Sequence, residues 1–339
     1  MRFLRCWRIT ALFFVAVSTA AAQPAVMRIS HQVPPAHHLS KLLQDFAADV
    51  KTRTNGSVDV QLFGSEQLAK AGENYPQVAR GNLEAAVSVN FQWGTTIPEM
   101  SATLVPYYMT DLARIRHFVT SDARKLLDQK LEEHGVHSVG WFYITRETIF
   151  TSGKKPLVTL DDFKGVKIRG LNSLTDHALT AVGAVPSAMP GSEVYQALQS
   201  GVLDAGLTDL SAAYSRKYYE IQKFGTVAPY FTIFFHLYVN PQWWAKLEPA
   251  QRQAIEAAAT KTEQEAFAVT EATAADALAT EGQGHDDSRA NTRGRSDVAH
   301  GDAKAGHRRV PQIGAAGRPE DPRPHQGPLT GRCAVARWT

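Results

Sequence analysis

Residues 160–170, LDDFKGVKIRG, and residues 181–206, AVGAVPSAMPGSEVYQALQSGVLDAG, decide how this chain folds. Leu160-Asp161-Asp162-Phe163 reads as a short helical turn, and Val166 to Arg169 as a strand closed by Gly170. Leu174 to Val182 and Ser192 to Ser200 have helical composition, and Leu203 to Leu207 reads as a buried strand. Short apolar strands alternating with helices imply an α/β layer architecture, with ligands taken at the carboxyl ends of the strands.

The same alternation runs outward on both sides. Val26 to His31 is a predicted strand. The helix expected over 36–54 places Leu39, Leu43, Phe46 and Val50 on one face. Asn55-Gly56 turns into a strand, Val58 to Phe63. A helix over 72–80 and an apolar strand, Leu83 to Val89, complete a βαβαβ order that implies a parallel sheet covered by helices. Helices over 111–120 and 122–134 lead to strands 136–143 and 148–151. Downstream, Thr232 to Asn240 is an apolar strand, and an Ala/Glu/Gln-rich helix runs from Glu248 to about Thr280. Two α/β units with a returning segment predict two lobes around a cleft: lobe I over 23–145 with a return over 233–247, and lobe II over 146–232. The helix over 248–281 is expected to span the hinge.

Both termini differ from this pattern. Arg2, Arg5 and Arg8 precede a short apolar stretch, Ile9 to Val17, and Ala20-Ala21-Ala22 offers a small-residue cleavage site. Residues 1–22 therefore read as a secretory signal peptide, with Gln23 opening an exported, soluble mature chain. The stretch is shorter than the roughly 20 residues that span a bilayer. From Gly282 the composition shifts to Gly, Arg, Pro, His, Asp and Ala with no apolar period, so the tail 282–339 is expected to be disordered. Either it is a natural tail or it is GC-rich DNA read out of frame, which yields this mixture.

The two cysteines, Cys6 and Cys333, leave the mature chain without an internal disulfide. A formal net charge of +3 gives no argument for nucleic acid as a partner. No G-x-S-x-G elbow, P-loop, G-x-G-x-x-G or H-E-x-x-H is present. No catalytic residue is assigned, and neither a metal site nor a cofactor is expected. His37-His38 face different ways on a helix and lack a third ligand, so they read as solvated histidines near a helix start.

The F-K-G-x-K-I-R strand, the G-A-x-P-x-x-M turn, the S-E-V-Y-x-A-L-Q-x-G-x-x-D run and the K-Y-Y-E-x-Q-K-F helix occur here in that order. Together they resemble the DctP-type solute-binding proteins of TRAP transporters, as do the upstream T-x-G-x-V-x-V and L-F-G-S-E-Q-L segments. The resemblance runs from about Met27 to Thr280. It implies a two-lobed periplasmic binding protein fold, a small organic acid as ligand, a TRAP permease in the membrane as partner, and no enzymatic role. A monomer is expected.

Arg169 ends a strand, where a planar guanidinium can grip a carboxylate through two parallel hydrogen bonds. The family's carboxylate-clamping arginine occupies this motif position. Arg146 resembles its second ligand-facing arginine, with a salt bridge to Glu147 as the alternative. Thr208 stands where family members often carry a ligand-touching Asn, and Leu207 replaces an acidic residue, so ligand identity does not transfer. Gly191 stands where sialic-acid-type members carry a bulky aromatic, which argues against sialic acid. On the other lobe His31, Glu73, Asn90, Phe91 and Trp93 fall at strand ends or loops resembling those that line the cleft. Glu73 either holds a ligand hydroxyl or water, or stabilises a helix N-terminus. Phe91 and Trp93 either flank a ligand or pack in the core. Asp204 reads as a structural turn, and Trp243-Trp244 as packing. The rival functions are a ligand-presenting sensor of the same fold and a periplasmic enzyme acting on a carboxylate.

Overall fold

The computed structural model describes residues 23–283 and 334–337, with side chains to residue 276. The chain runs β1 (Ala25–His31), α1 (His38–Arg53), β2 (Val58–Phe63), α2 (Asn74–Ala79), β3 (Ala85–Val89), α3 (Leu112–Phe118), α4 (Asp122–Glu133) and β4 (His137–Thr145). It continues through β5 (Thr148–Ser152), β6 (Lys167–Gly170), α5 (Ser173–Ala181), β7 (Val185–Ala188), α6 (Val194–Gln199), β8 (Ala205–Asp209), α7 (Leu210–Ser215) and β9 (Phe224–Ala228). It ends with β10 (Ile233–Val239), α8 (Pro241–Lys246), α9 (Pro249–Gln283) and β11 (Ala334–Arg337).

The strands form two sheets, ordered β2-β1-β3-β10-β4 and β11-β9-β5-β8-β6-β7. β1 runs parallel to β2 and β3, with Met27 opposite Val60 and Ser30 opposite Ala86. The expected parallel sheet is nevertheless mixed. β10 lies between β3 and β4 and runs antiparallel to both, with Leu237 opposite Val87 and Gly140. The reason is the short link 229–232. β9 finishes at the end of its sheet that faces the first sheet, so β10 must start there, where β1 and β3 finish. The other crossing is shorter still, Arg146-Glu147 between β4 and β5. The second sheet's antiparallel core, β5 against β8 and β9, is thereby pinned to the first sheet twice at one end, where Thr148 pairs with Asp209 and Ala228.

β3, β8 and β10 are buried at every position, as expected for strands covered on both faces. One apolar cluster runs from Met27, Ile29, Leu39 and Phe46 through Phe231 and Phe235 to Phe150 and Ile168, so the core is continuous from one sheet to the other. α1 packs Leu39, Leu42, Leu43, Phe46 and Val50 inward and closes with Lys51 and Arg53 in its last turn, which suits the negative end of its dipole.

The helix α9 has 35 residues, about 50 Å of rise. Its buried face is Ile255, Ala258, Ala259, Thr262, Ala266, Phe267 and Thr270. Those small side chains let it press on β4, where a Cβ on Gly140 would lie 3.3 Å from the Cβ of Ala259. Farther along, Ala274 joins the apolar cluster of Ile149, Val194, Leu210 and Val227 under the second sheet. Glu263 accepts the Trp141 N–H at 2.7 Å and pairs with Arg124 at 3.0 Å.

Three local differences from the sequence-based expectation have identifiable causes. The stretch read as a G-A-x-P-x-x-M turn contains β7, an edge strand where Pro186 leaves only one ladder position without a donor. The stretch read as a K-Y-Y-E-x-Q-K-F helix is a single 3-10 turn at Tyr218–Glu220 leading into β9, because Lys217 adopts a left-handed conformation (φ 59°) that ends α7. Within the tail, Ala334–Arg337 pair antiparallel with β9, so these four residues do take regular structure. The signal segment 1–22, the rest of the tail and the frameshift reading lie outside the described residues.

Candidate ligand-binding site

The carboxyl ends of the parallel strands converge on a small cavity, about 20 Å³, between the two sheets. The second sheet contributes Arg169 from β6, Leu171 beyond it, Thr208 and Asp209 from β8, and Ala212 and Arg216 from α7 and its end. The first contributes Gln32 and Val33 after β1, His37 before α1, Val89 and Phe91 at the end of β3, and Ile233 and Phe235 from the start of β10.

Arg169 is 3 % exposed. Its Nε donates to the Met189 carbonyl at 3.2 Å and its Nη1 to the Leu207 carbonyl at 3.0 Å. Two backbone acceptors, one just past β7 and one within β8, fix the guanidinium plane. No protein acceptor among the described residues engages Nη2. Burial, with Arg216 as a like charge nearby, pulls the Arg169 pKa down to about 10, against the opposing pull of Tyr218 and Asp209. At neutral pH the group stays charged.

Asp209 does two tasks. Its Oδ1 caps α7 by accepting the Ala212 N–H at 2.7 Å, and it faces His37 Nε2 at 3.4 Å across the cleft. Burial pushes this carboxyl upward, but His37, the Ala212 N–H and His38 together hold it well below the usual carboxylate range. His37 caps α1 in turn: its Nδ1 accepts the Leu39 N–H at 3.1 Å, so the proton sits on Nε2, toward Asp209. The reading of His37-His38 as solvated is therefore corrected. His37 is 1 % exposed and its ring stacks on His38 with centroids 4.6 Å apart. His38 packs against Thr270 of α9, Nε2 to Oγ1 3.3 Å, and burial with His37 alongside lowers its pKa to about 3. A carboxylate supplied from the opposite sheet leaves no trace in local sequence.

Of the residues expected at the site, Arg169, Thr208 and Phe91 line the cavity. Five do not. Arg146 turns to α9, with Nη2 2.7 Å and Nε 3.1 Å from the two carboxylate oxygens of Glu271, which also accepts from the Tyr143 hydroxyl at 2.7 Å. In this structure it ties the β4–β5 crossing to α9, and it neither lines the cavity nor forms a salt bridge with Glu147. Asn90 is an internal brace: its amide donates to the Met100 carbonyl and Thr103 hydroxyl, both at 2.8 Å, and accepts the Phe234 N–H at 3.1 Å. Trp93 packs into the core against Tyr75 and Tyr238, because the chain after β3 enters a 3-10 turn that sends Phe91 and Trp93 to different places. Glu73 is exposed and accepts the Lys70 N–H at 3.3 Å, a local helix-start contact. His31 lies behind His37, buried, and burial with His37 nearby pulls its pKa down to about 4.

Gln32, His37, Asp209, Arg216 and Phe235 are cavity residues that were not selected from sequence. Asp209 carried a usable signal: an acidic residue ending a buried strand and followed three residues later by Ala212, the pattern of an N-cap. Among the described residues, no group of three or more His, Cys, Asp or Glu is arranged to hold a metal ion. No described helix is long and apolar enough to cross a membrane.

Two α/β units joined by two short crossings and a shared helix, closing on a buried guanidinium, define a two-lobed solute receptor. The chain belongs to the bacterial extracellular solute-binding proteins, family 7, whose pattern matches residues 29–283. It is 31 % identical over 251 residues to the C4-dicarboxylate-binding periplasmic protein DctP of Rhodobacter capsulatus, covering 74 % of this chain and 75 % of that one. Its fold is similar to that of a TRAP periplasmic solute-binding protein from Sulfurospirillum deleyianum solved with bound succinate: TM-score 0.72, 25 % identity, 76 % of this chain and 83 % of that one. It is also similar to a TRAP periplasmic solute-binding protein from Desulfovibrio salexigens solved with bound orotic acid: TM-score 0.71, 27 % identity, 76 % and 82 % covered.

Proposed function

We propose that this chain is a periplasmic receptor that captures a small organic acid between its lobes and delivers it to a TRAP-type permease, without transforming it. The observation that carries the reading is Arg169: a buried guanidinium, charged at neutral pH and held by two carbonyls, with one amino group left for a ligand inside a cavity made by both sheets. An anion is the ligand such a cavity favours, since Asp209 is already occupied by the α7 N-terminus and His37. The relatives fit this chemistry, with a C4-dicarboxylate, succinate and orotic acid as their named ligands. None of the cavity residues pairs a nucleophile with a base, which supports a binding role. The crossings at Arg146-Glu147 and 229–232, braced by α9, are the candidate hinge.

A thermal-shift screen of carboxylates tests this. A ligand at about a hundred times its Kd adds roughly 2.7 kcal/mol of stability. The expected result is a shift with at least one organic acid that Arg169→Ala abolishes. Binding undiminished in Arg169→Ala, or no shift with any acid, would overturn the reading.

A further inference from the structure

Gly191 and Arg216 form a pair that the carboxylate clamp at Arg169 does not use. A Cβ built on Gly191 would lie 2.6 Å from Nη1, 2.7 Å from Cζ and 2.8 Å from Nη2 of Arg216. Three of the four heavy atoms of the guanidinium are thus nearly equally close, so the group lies flat over the Gly191 backbone. Any side chain at 191 would displace it. The arrangement is fixed on both sides. Arg216 is the residue that ends α7. Lys217 then turns the chain through a left-handed conformation and buries Tyr218, whose hydroxyl donates to the Gly191 carbonyl at 3.4 Å. One turn therefore sets the position of both Arg216 and residue 191.

Arg216 lines the same cavity as Arg169. No ion pair engages it among the described residues. The one carboxylate lining the cavity, Asp209, is taken by the Ala212 N–H and by His37. The cavity thus carries two guanidinium groups and a single carboxylate that is already committed. A monocarboxylate held at Arg169 brings no second anion to Arg216, whose half-buried guanidinium meets only the neutral Tyr218 hydroxyl. A ligand with a carboxylate at each end satisfies both.

We infer that Arg216, admitted by the bare backbone of Gly191, is the specificity-determining residue that selects dicarboxylates by binding the carboxylate distal to Arg169. This rests on the reading of Arg169 as the primary clamp. A bulkier residue at 191 would convert the receptor toward monocarboxylates.

Isothermal titration with succinate and with its monoamide, succinamate, separates the two ideas, because the pair differ by one charge at nearly constant shape. The wild-type protein is expected to bind succinate more tightly than succinamate by about ten- to a hundredfold. Arg216→Gln and, independently, Gly191→Ala are expected to remove most of that preference by weakening succinate alone, with unfolding midpoints confirming that each variant is folded. Arg169→Ala is expected to weaken both ligands together. Equal affinity for the two ligands in the wild type, or a succinate preference that survives Arg216→Gln, overturns the role of Arg216 while leaving carboxylate binding intact. A wild-type preference for succinamate, or for monocarboxylates such as butyrate over succinate, overturns it as well. Failure to bind any of the acids overturns both this inference and the reading of Arg169.

Discussion

Mild acid should destabilise this protein well above the pH at which carboxylates protonate. Three histidines are buried in the neutral form. His236 is enclosed in the first sheet with its Nε2 3.0 Å from the Ser138 hydroxyl and its ring over Trp141 and Tyr238, and burial lowers its pKa to about 3. His38 is lowered to about 3 and His31 to about 4, in each case by burial first and by the neighbouring His37 second. An unfolded histidine titrates near 6.5. Below that pH the unfolded chain takes up protons that the folded chain refuses, so the stability present above about pH 6.5 is lost as pH falls toward the folded values. The slope is about 1.4 kcal/mol per pH unit for each such group. Between about pH 6.5 and pH 5 each histidine therefore costs about 2 kcal/mol, and the three together about 6 kcal/mol, against a total domain stability of about 5–15 kcal/mol. Asp209, whose pKa is held below the usual range, acts in the same direction but only below about pH 4. The measurement is urea unfolding followed by tryptophan fluorescence at a series of pH values from 7.5 to 5, in the wild type and in His236→Gln. That variant keeps a polar group near Ser138 but cannot titrate. It is expected to show a slope shallower by about one third, whatever its stability at neutral pH. A wild-type stability flat between pH 6.5 and 5, or a slope unchanged in His236→Gln, would refute the argument.

Two further outcomes separate bracing from binding. Glu271→Gln removes the charge that holds Arg146 and weakens the Tyr143 contact, so it should lower stability by about 1–3 kcal/mol while changing the Kd for the bound acid by less than about threefold; a selective loss of affinity would mean that Arg146 serves the ligand. Gly140→Val places a branched side chain where α9 presses on β4 and should cost about 1–3 kcal/mol in chemical denaturation, whereas no cost would mean that α9 is free to shift from β4.

What the sequence made legible was what neighbouring residues decide. β1, β2, α1 and β6 follow from local apolar periodicity, and β6 places Arg169 because the carboxyl end of a strand meets the cleft whatever the rest of the fold does. The direction of β10 was not legible, since a strand's own residues do not record which end of the sheet it enters; the four-residue link 229–232 does, but only once β9 is known to end at the cleft. β7 was hidden because its Pro186 and exposed side chains look like a turn, which is what an edge strand tolerates.

The site divides along the same line. Phe91 and Trp93 are indistinguishable by composition, and only the 3-10 turn after β3 sends one to the cavity and the other to the core. Arg146 looked available because its partner, Glu271, lies 125 residues away on a helix whose rotation no local pattern sets. His37 looked solvated because the carboxylate it faces belongs to the other sheet. For Arg146 and His37 the deciding contact joins segments far apart in the chain, at the β4–β5 crossing or across the cleft. Contacts of this kind are set by the tertiary fold and not by neighbouring residues, so they are the hardest to read from this sequence.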